Sequence, residues 1–423
     1  MKQRIKVFIG EAAIEAGELS YEVQGNRTLC SFAYSPVWLR RPDSFNLSPD
    51  LQLVEGHQFH KGESAFFRCF ADTEPDGWGR EVIQRVIRKE REAHREKRGL
   101  LGDLDYLLGV SDRSRMGALR LQGEDGKFQW PDDARRGAPP IVDLDKLLDA
   151  TRNVENNRET LEDLAYLRGS GTSLDGMRPK ASIIDTDGTL AIGKFPSVKD
   201  RHSVVHAEVL AMTLAAQAGL NVARTRVEKV PKRGGRRTAA PTAATVTPVA
   251  IITRFDRENG GRVMYLSAHS LLLADKSSAI TYEDIAATIR QYSNQAPVDL
   301  RELWCRITYN LLINNIDDHL KNQGFLHRGS GHWNLAPAFD INPFPDKARD
   351  LKTAITADLG GYASFDQLLD LYETFGFAAR GDAGKVLARM MAAVSGWKTL
   401  AASLGMSDRD IGEIEPAFQH PEL

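Results

Sequence analysis

The sequence has 423 residues, a length that predicts two or three domains. Its formal net charge of −2 and its 42% hydrophobic residues are the composition of an ordinary globular protein. No apolar run approaches the roughly 18 residues of a membrane-spanning helix, and the nearly neutral charge gives no reason to expect strong nucleic-acid binding. Three scattered cysteines (Cys30, Cys69 and Cys305) lack metal-ligand spacing, which favours a reducing compartment and predicts a cytoplasmic protein. The opening segment, MKQRIKVFIG, has only a short apolar run and predicts a first strand rather than a signal peptide.

The first third of the chain is rich in short strands. They are predicted at 6–10, 18–23, 29–34 and 117–121, bounded by Gly and Asn turns. Helices are predicted after the turn at 75–80, with an apolar face of Val82, Ile83, Val86 and Ile87, and at 103–109. The mixed charges of 88–98 are typical of a solvated helix end rather than a nucleic-acid patch. The polar, proline-containing stretch 131–140 predicts a linker.

After a helical stretch at 141–167, a loop rich in glycine and serine spans 168–180. It precedes a predicted hairpin, whose strands at 181–184 and 190–195 are joined by a turn at Asp187-Gly188. Because glycine lets the backbone approach a ligand closely, such a loop can lay its N–H groups along phosphates. A flexible surface loop is the alternative. The loop ends in Lys180, and Lys194 lies on the second strand of the hairpin, where a lysine can reach the α- and β-phosphates of a nucleotide.

A helix is predicted to begin at His206, with Glu208 in its first turn, and to stop at Gly219 and Asn221. Glu208 either favours the helix dipole or pairs with Lys194, and the sequence leaves both interpretations open. The basic stretch 231–247 is predicted to be a mobile loop. The buried strand 249–253 has a polar exit, which suits a hinge that offers backbone groups to an adenine. Further helices are predicted at 282–292, 300–313, 365–375 and 384–404.

The stretch 309–344 joins a predicted helix end to two short apolar strands. Asp317 and Asn322 precede this hairpin, and Asp340 follows it. The arrangement suits phosphoryl transfer, in which one carboxylate positions the attacking hydroxyl while an Asn and a second Asp hold Mg²⁺ against the nucleotide phosphates. The spacing of Asp317 and Asn322 equals that in the kinase catalytic loop. Asp and Asn are also common turn residues, so ordinary loops are the alternative.

Several short motifs occur in order along nearly the whole chain. They are FAYS at 32–35 with Trp38-Leu39, PDGWGR at 75–80, GAL at 117–119, Ser173-Leu174-x-Gly176-x-x-x-Lys180, RFDR at 254–257, Asp317-x-His319-x-Lys321-Asn322 and LAPAFD at 335–340. In this set the chain resembles the HipA family of bacterial Ser/Thr kinases, the toxin halves of toxin–antitoxin pairs. Each motif alone is weakly specific, but the ordered set is highly specific.

The resemblance implies an α+β, two-lobed protein-kinase-like fold with an extra β-rich N-terminal subdomain and a helical C-terminal lobe. The domains it implies are a HipA-type N-terminal subdomain at 1–130, the nucleotide-binding part of the N-lobe at 141–255 and a helical catalytic C-lobe at 256–423. In the second half of the chain, the resemblance implies that Asp317 is the catalytic aspartate and that Asn322 and Asp340 are the Mg²⁺ ligands. His319 is interpreted as a residue that packs and hydrogen-bonds the loop.

The nucleotide-binding residues that the resemblance implies are Ser173, Gly176, Lys180, Lys194, Thr253, Phe255 and His319. Lys194 would contact the phosphates, Lys180 would close the phosphate loop, and the hinge residues would flank the adenine. Ser173 matches a serine that these kinases phosphorylate on themselves, with Ser170 and Thr172 as neighbouring alternatives. A phosphate there adds about −1.5 to −2 charges, so we expect it to expel the loop and switch the enzyme off. Asp175 and Met177 depart from the family's usual loop, which leaves substrate preference and loop mobility open.

The implied function is ATP- and Mg²⁺-dependent transfer of phosphate to a Ser or Thr hydroxyl on a protein by a growth-arresting toxin. The implied partners are a protein substrate (an aminoacyl-tRNA synthetase in some relatives) and a small helix-turn-helix, HipB-like antitoxin. DNA would be bound only indirectly through the antitoxin, and no membrane is involved. A small-molecule kinase of the same fold and a non-catalytic co-repressor are the alternatives. The intact set of Lys194, Asp317, Asn322 and Asp340 argues against the co-repressor.

Overall fold

The structure is a computed structural model, and it describes residues 2–25, 27–75, 77–93, 101–128, 141–170, 176–231, 246–346 and 348–420. The chain divides into two compact units. The first unit comprises 1–198, 230–232 and 253–266, and the second comprises 199–229, 233–252 and 267–423. Several predicted features lie wholly or partly outside the described residues: the linker at 131–140, the end of the charged stretch 88–98, residues 171–175 of the glycine loop and most of the basic stretch 231–247.

Both helices and antiparallel strands are present, which confirms the predicted α+β class. The strands are β1 (Lys2–Ile9), β2 (Ile14–Gln24), β3 (Arg27–Tyr34), β4 (His57–Phe59), β5 (Leu119–Gln122), β6 (Lys180–Ile184), β7 (Leu190–Lys194), β8 (Thr225–Pro231), β9 (Val246–Thr253), β10 (Arg257–Glu258), β11 (Gly261–Arg262), β12 (Tyr265–Ser267), β13 (Gly324–His327) and β14 (Trp333–Leu335). The helices are α1 (Pro36–Leu39), α2 (Arg68–Ala71), α3 (Gly77–Ala93), α4 (Asp103–Gly109), α5 (Leu144–Glu155), α6 (Leu161–Ser170), α7 (Val204–Ala218), α8 (Ala268–Leu271), α9 (Tyr282–Tyr292), α10 (Ala296–Leu312), α11 (Phe365–Asp370), α12 (Arg380–Ser395), α13 (Trp397–Leu404) and α14 (Asp408–Ile414). Short 3₁₀ helices lie at Ile141–Asp143, Leu320–Asn322 and Glu415–Phe418.

The first unit begins with an antiparallel sheet in the order β4-β3-β2-β1-β5. In β1, Ile5 and Val7 are buried while their neighbours Arg4 and Lys6 are exposed. This alternation is what a strand with one face against a core requires. The fully buried aromatic side chains of this unit include Phe32 on β3 and, further along the chain, Phe66, Phe67 and Phe70. The predicted β-rich start of the chain is therefore present.

One predicted helical stretch, 141–167, is divided into α5 and α6. Asn157 adopts a left-handed conformation with φ 54°, which an α-helix cannot contain. The next helix is then started by a reciprocal cap, in which Asp163 N donates to Thr160 Oγ1 at 3.1 Å and Thr160 N donates to Asp163 Oδ2 at 2.9 Å. Such a cap satisfies N–H groups that have no partner inside the helix. The apolar residues of 141–167 therefore predict helix throughout, but the left-handed Asn157 and the cap at Thr160 end one helix and start the next.

The second unit is organised around α10. The Tyr309 hydroxyl donates to the carbonyl of Ala211 in α7 at 2.6 Å, and Trp304 Nε1 donates to the carbonyl of Leu368 in α11 at 3.0 Å. Helix α7 ends, as predicted, at Gly219, which adopts the left-handed conformation (φ 96°) that favours glycine. Because α10 is held at both of these contacts, its C-terminal end is a fixed starting point for the loop that follows.

Two predicted helices of the second unit are shorter than expected. The stretch 384–404 contains the end of α12 and all of α13, with Gly396 between them, since glycine is a poor helix former. The stretch 365–375 is helical only to Asp370. Within the part of the chain that the structure describes, no helix is long and apolar enough to cross a membrane. The three predicted domains, with boundaries near 130 and 255, stay a prediction.

Candidate active site

The loop that carries Asp317 starts at Asn314, two residues beyond the end of α10. Asn314 is left-handed, with φ 54°, a conformation that Asn tolerates better than most residues. Its side-chain amide donates to the carbonyls of Phe344, Asp346 and Ala348 at 2.7, 3.0 and 3.1 Å. One buried asparagine therefore ties the start of this loop to the segment that follows Asp340.

Asn322 is held against the backbone of the same loop. Its N–H donates to the carbonyl of His319 at 2.8 Å, and its Nδ2 donates to the carbonyl of Asp317 at 2.8 Å. The Oδ1 atom of Asn322 is buried and has no hydrogen-bond partner among the residues that the structure describes. Leaving a buried polar atom unsatisfied is costly, so this oxygen is suited to receive a ligand. The loop thus presents an amide oxygen next to the backbone of Asp317.

Asp340 reaches the same region from the far side of the β13–β14 hairpin. Ala338 pairs with the segment before β8, since its N–H donates to Asn221 O at 2.8 Å and its carbonyl accepts from Ala223 N at 2.9 Å. Asp340 itself is left-handed, with φ 55°, and its Oδ1 accepts from Asn342 Nδ2 at 3.3 Å. Strained conformations of this kind concentrate at functional sites. The left-handed backbone at Asp340 therefore gives its carboxylate a direction that an extended backbone would not give it.

Asn322 and Asp340 line one small polar cavity in the second unit. Its other lining residues are Leu220, Arg306, Asn310, Asn315, Asp318, Gln323, Ala338, Phe339 and Ile341. Within the described ranges, no group of three or more His, Cys, Asp and Glu side chains is placed to hold a metal ion. Mg²⁺ does not need such a cage, because it is usually bound by one or two carboxylates, water and substrate phosphates. The unsatisfied amide oxygen of Asn322 and the carboxylate of Asp340 fit that ligand set.

Asp317 and Asp318 are adjacent in sequence but lie in opposite environments. Asp317 is half-exposed, and its Oδ1 forms an ion pair with Lys352. Asp318 is buried and accepts hydrogen bonds from the Tyr282 hydroxyl at 2.6 Å and from Thr353 N at 3.3 Å. Asn310 Nδ2 in turn donates to the Tyr282 hydroxyl at 3.4 Å. Asp318 therefore holds the loop through buried hydrogen bonds, while the carboxylate of Asp317 is accessible to solvent.

Replacement of Asp318 by asparagine should change how stability depends on pH. Burial raises the pKa of Asp318 to about 6, although the hydrogen bond from Tyr282 opposes the change, whereas the unfolded value is about 3.9. The folded state therefore binds this proton more tightly, and the stability that the group contributes is lost as the pH rises from about 4 to 6. Relative to Asp318→Asn, the parent should gain about 1 kcal/mol of unfolding free energy between pH 7 and pH 5.

Urea unfolding without nucleotide or metal, followed by circular dichroism at the two pH values, measures this difference. Asparagine is a matched replacement because its oxygen can still accept from Tyr282. An identical pH dependence in parent and variant would contradict the raised pKa.

In the first unit, Lys180 and Lys194 lie directly opposite each other on β6 and β7. Opposed residues on antiparallel strands share a face and lie about 5 Å apart, and like charges placed so are destabilising. Lys180 is nevertheless 98% buried, with a relative exposure of only 2%. Gly176 (φ 117°) is also close, since a Cβ built there would lie 2.8 Å from Lys180 Nζ. The two lysines and Gly176 therefore lie close together at the end of the glycine loop.

Trp78 fixes the end of the glycine loop to β6. Its N–H donates to the carbonyl of Gly176 at 3.4 Å, and its Nε1 donates to the carbonyl of Lys180 at 3.0 Å. The sequence pattern identified residues 75–80 only as a turn before a helix, and it did not indicate this contact. Ser173 lies outside the described residues, and its predicted role stays a prediction.

The predicted hinge residues alternate with buried charges. Thr253 and Phe255 are half-buried, whereas Arg254 and Asp256 are 3% and 0% exposed. Arg254 Nε donates to Asp256 Oδ1 at 2.7 Å, and Asp256 Oδ2 accepts from Gly117 N at 2.7 Å. An internal ion pair thus anchors the hinge, and the two residues predicted to flank the adenine are more exposed than the residues of that pair.

Arg257 completes this anchor. Its guanidinium contacts Asp256 Oδ2 at 2.6 Å and the carbonyl of Arg115 at 2.8 Å. Burial would raise the pKa of Asp256, but the Arg254 and Arg257 charges outweigh burial and lower that pKa to about 2. The carboxylate is therefore ionised at neutral pH inside the protein.

Comparison with known proteins gives matches to both halves of the chain. Residues 5–104 match the family model described as HipA N-terminal domain, and residues 172–397, more than half of the chain, match the HipA-like C-terminal domain. A chain from the Shewanella oneidensis MR-1 toxin–antitoxin system HipA, HipB and operator DNA complex superposes with a TM-score of 0.62 at 15% identity. That match covers 98% of this chain and 95% of that chain. The likeness confirms the predicted kinase-like fold.

Two further proteins are similar over shorter regions. A Haemophilus influenzae protein named "Putative kinase" is 31% identical over 109 residues, which are 23% of this chain and 32% of the relative. The chain thus matches about a third of that relative's length. The Helicobacter pylori proinflammatory kinase CtkA superposes with a TM-score of only 0.37 at 16% identity, covering 57% of this chain and 90% of that chain.

Proposed function

Because the chain belongs to the HipA family, we propose that it is a kinase that transfers the γ-phosphoryl group of ATP to a Ser or Thr hydroxyl on a protein. One observation carries the proposal. Asn322, whose buried Oδ1 has no partner among the described residues, shares a cavity with Asp340 and is tied to the backbone of Asp317. These are the three residue types that phosphoryl transfer requires on neighbouring loops.

In the proposed reaction, Asp317 accepts the proton of the attacking hydroxyl, and Asn322 and Asp340 hold Mg²⁺. Bound Mg²⁺ would neutralise charge on the nucleotide phosphates. Lys194 and Lys180, which stand opposite each other on β6 and β7, would bind those phosphates. Thr253 and Phe255 would flank the adenine, because they lie in the predicted hinge and are half-buried between residues that are fully buried.

We also propose a biological setting, a toxin restrained by a partner. The Shewanella oneidensis relative is named as part of a toxin–antitoxin system with HipB and operator DNA. By analogy, this chain would bind a small helix-turn-helix antitoxin and would meet DNA only through it. The substrate would be a cellular protein whose phosphorylation arrests growth, with an aminoacyl-tRNA synthetase as one candidate.

Self-phosphorylation tests the proposed function without knowledge of the protein substrate. The purified full chain, incubated with Mg²⁺ and γ-labelled ATP, should incorporate phosphate into residues 168–180, with Ser173 as the expected acceptor. Intact-mass and peptide mass spectrometry would locate the phosphate. An Asp317→Ala chain purified from a kinase-free expression system is the control and should remain unlabelled.

Two results would contradict the proposal. The first is a parent chain that labels neither itself nor any protein of a cell lysate. The second is equal labelling of the parent and the Asp317→Ala chain, which would place the activity elsewhere.

A further inference from the structure

A short segment after Asp340 runs beside the loop that carries Asp317. Lys352 N donates to the carbonyl of Ile316 at 3.2 Å, and Thr353 Oγ1 donates to the carbonyl of Asp318 at 2.8 Å. On its other side, the carbonyl of Ala354 accepts from Tyr282 N at 2.8 Å. The backbone at Lys352 is therefore fixed to two neighbouring elements.

The side chain of Lys352 extends from this fixed backbone onto Asp317. Its ammonium pairs with Asp317 Oδ1, and the two side chains are 59% and 42% exposed. An ion pair that is so open to solvent contributes at most about 1 kcal/mol to stability. The contribution of this ion pair to folding stability is therefore too small to explain why Lys352 lies beside Asp317.

The other carboxylate oxygen of Asp317 is open. Oδ2 accepts no hydrogen bond from any residue that the structure describes. A hydroxyl bound to Oδ2 would lie beside the ammonium on Oδ1, and its oxygen would be about 3–3.5 Å from the phosphorus it attacks. A phosphoryl group transferred to that hydroxyl would then pass close to the Lys352 ammonium.

We propose that Lys352 is a further catalytic residue of this chain, whose ammonium contacts the phosphoryl oxygens during transfer. The inference rests on the proposed kinase function. The acceptor oxygen forms a bond to the γ-phosphorus while the bond from that phosphorus to the bridging oxygen breaks. The acceptor proton passes to Asp317, and ADP leaves with the electron pair of the broken bond. Lys352 neither gains nor loses a proton, and it stabilises the negative charge as a fixed cation.

The fixed backbone favours catalysis over a simple surface contact. Electrostatic stabilisation is most effective when the charge is already in place before the reaction, because no reorganisation is then needed. Lysine is also a common phosphate ligand, acting as a compact point charge. Lys385 offers a comparison, since it forms an exposed 2.9 Å pair with Asp382 on α12.

Substitution of Lys352 tests the inference in the self-phosphorylation assay. Lys352→Met should lower kcat, here the rate constant of self-phosphorylation at saturating ATP, by about 100-fold. The ATP concentration that gives half of that rate (KM) and the melting temperature should change little. Lys352→Arg should recover part of the rate, since it restores a cation. The matched control Lys385→Met should keep the parent kcat, although it also removes a lysine from an exposed ion pair.

Chemical rescue separates a catalytic role from a structural one. Propylammonium added to Lys352→Ala should restore activity with saturation, whereas it should not affect the parent. A Lys352→Met chain that matches or exceeds the parent kcat would overturn the inference while leaving the kinase function intact. A self-phosphorylation rate of Lys352→Met that falls only in proportion to the loss of folded protein would overturn the inference as well. A parent chain without activity would overturn both.

Discussion

Asp317→Ala should lower phosphoryl transfer by about a thousandfold or more while leaving MgATP binding nearly unchanged. The reason is that this carboxylate acts on the acceptor hydroxyl, and general base catalysis contributes about 10²–10⁴-fold to a rate. Its exposed position and its outward ion pair also mean that it contributes little to the core. Single-turnover labelling measures the rate, and calorimetry with MgATP measures the binding.

Asp340→Ala is the informative comparison for this first prediction. Asp340 would supply a charged ligand to Mg²⁺, so the variant should lose both MgATP affinity and turnover. If Asp340→Ala bound MgATP as tightly as the parent, the assignment of Asp340 to the metal would be wrong. If Asp317→Ala lost binding to the same degree, the division of roles between the two carboxylates would fail.

Asp256→Ala should destabilise the protein more than any other single carboxylate removal considered above. Asp256 is fully buried between the guanidinium groups of Arg254 and Arg257. Removing one member of a buried ion pair leaves an uncompensated charge and costs about 3–5 kcal/mol. For a unit of this size, the melting temperature should fall on the order of 10 °C.

Differential scanning calorimetry of the full chain would measure this loss. The control is Asp382→Ala, which removes an exposed carboxylate that also pairs with a lysine and should change stability by less than about 0.5 kcal/mol. A melting temperature for Asp256→Ala within a degree of the control would show that the buried cluster tolerates the loss of its anion.

Local signals explain what the sequence predicts well. Helix α7 was expected to end at Gly219 because glycine accepts the left-handed conformation, and the hairpin that carries Lys194 follows from alternating apolar residues around a turn at Asp187-Gly188. The placement of Asn322 beside Asp317 likewise depends on only a few intervening residues. In each case the deciding contact lies within a few residues, where spacing and residue type suffice.

Contacts between distant residues explain what the sequence did not predict. Asp256 binds the N–H of Gly117 across 139 residues, and Lys352 reaches Asp317 across 35. The spacing to Asn322 singles out Asp317, but it does not indicate that the neighbouring Asp318 is buried against Tyr282. Burial and partner identity depend on the tertiary arrangement and are not properties of the spacing.

The discontinuous first unit has a consequence for synthesis of the chain. Its sheet and glycine loop belong to residues 1–198, but residues 253–266 supply Arg254, Asp256 and Arg257, which hold the segment 114–117. A nascent chain emerges from the ribosome in order, at roughly 5–20 residues per second. The N-terminal segment must therefore wait several seconds, with the buried position of Asp256 unfilled, until residue 266 has been translated and released from the exit tunnel. Contacts of such high sequence separation also slow folding, so this unit completes its core well after most of its residues have been translated.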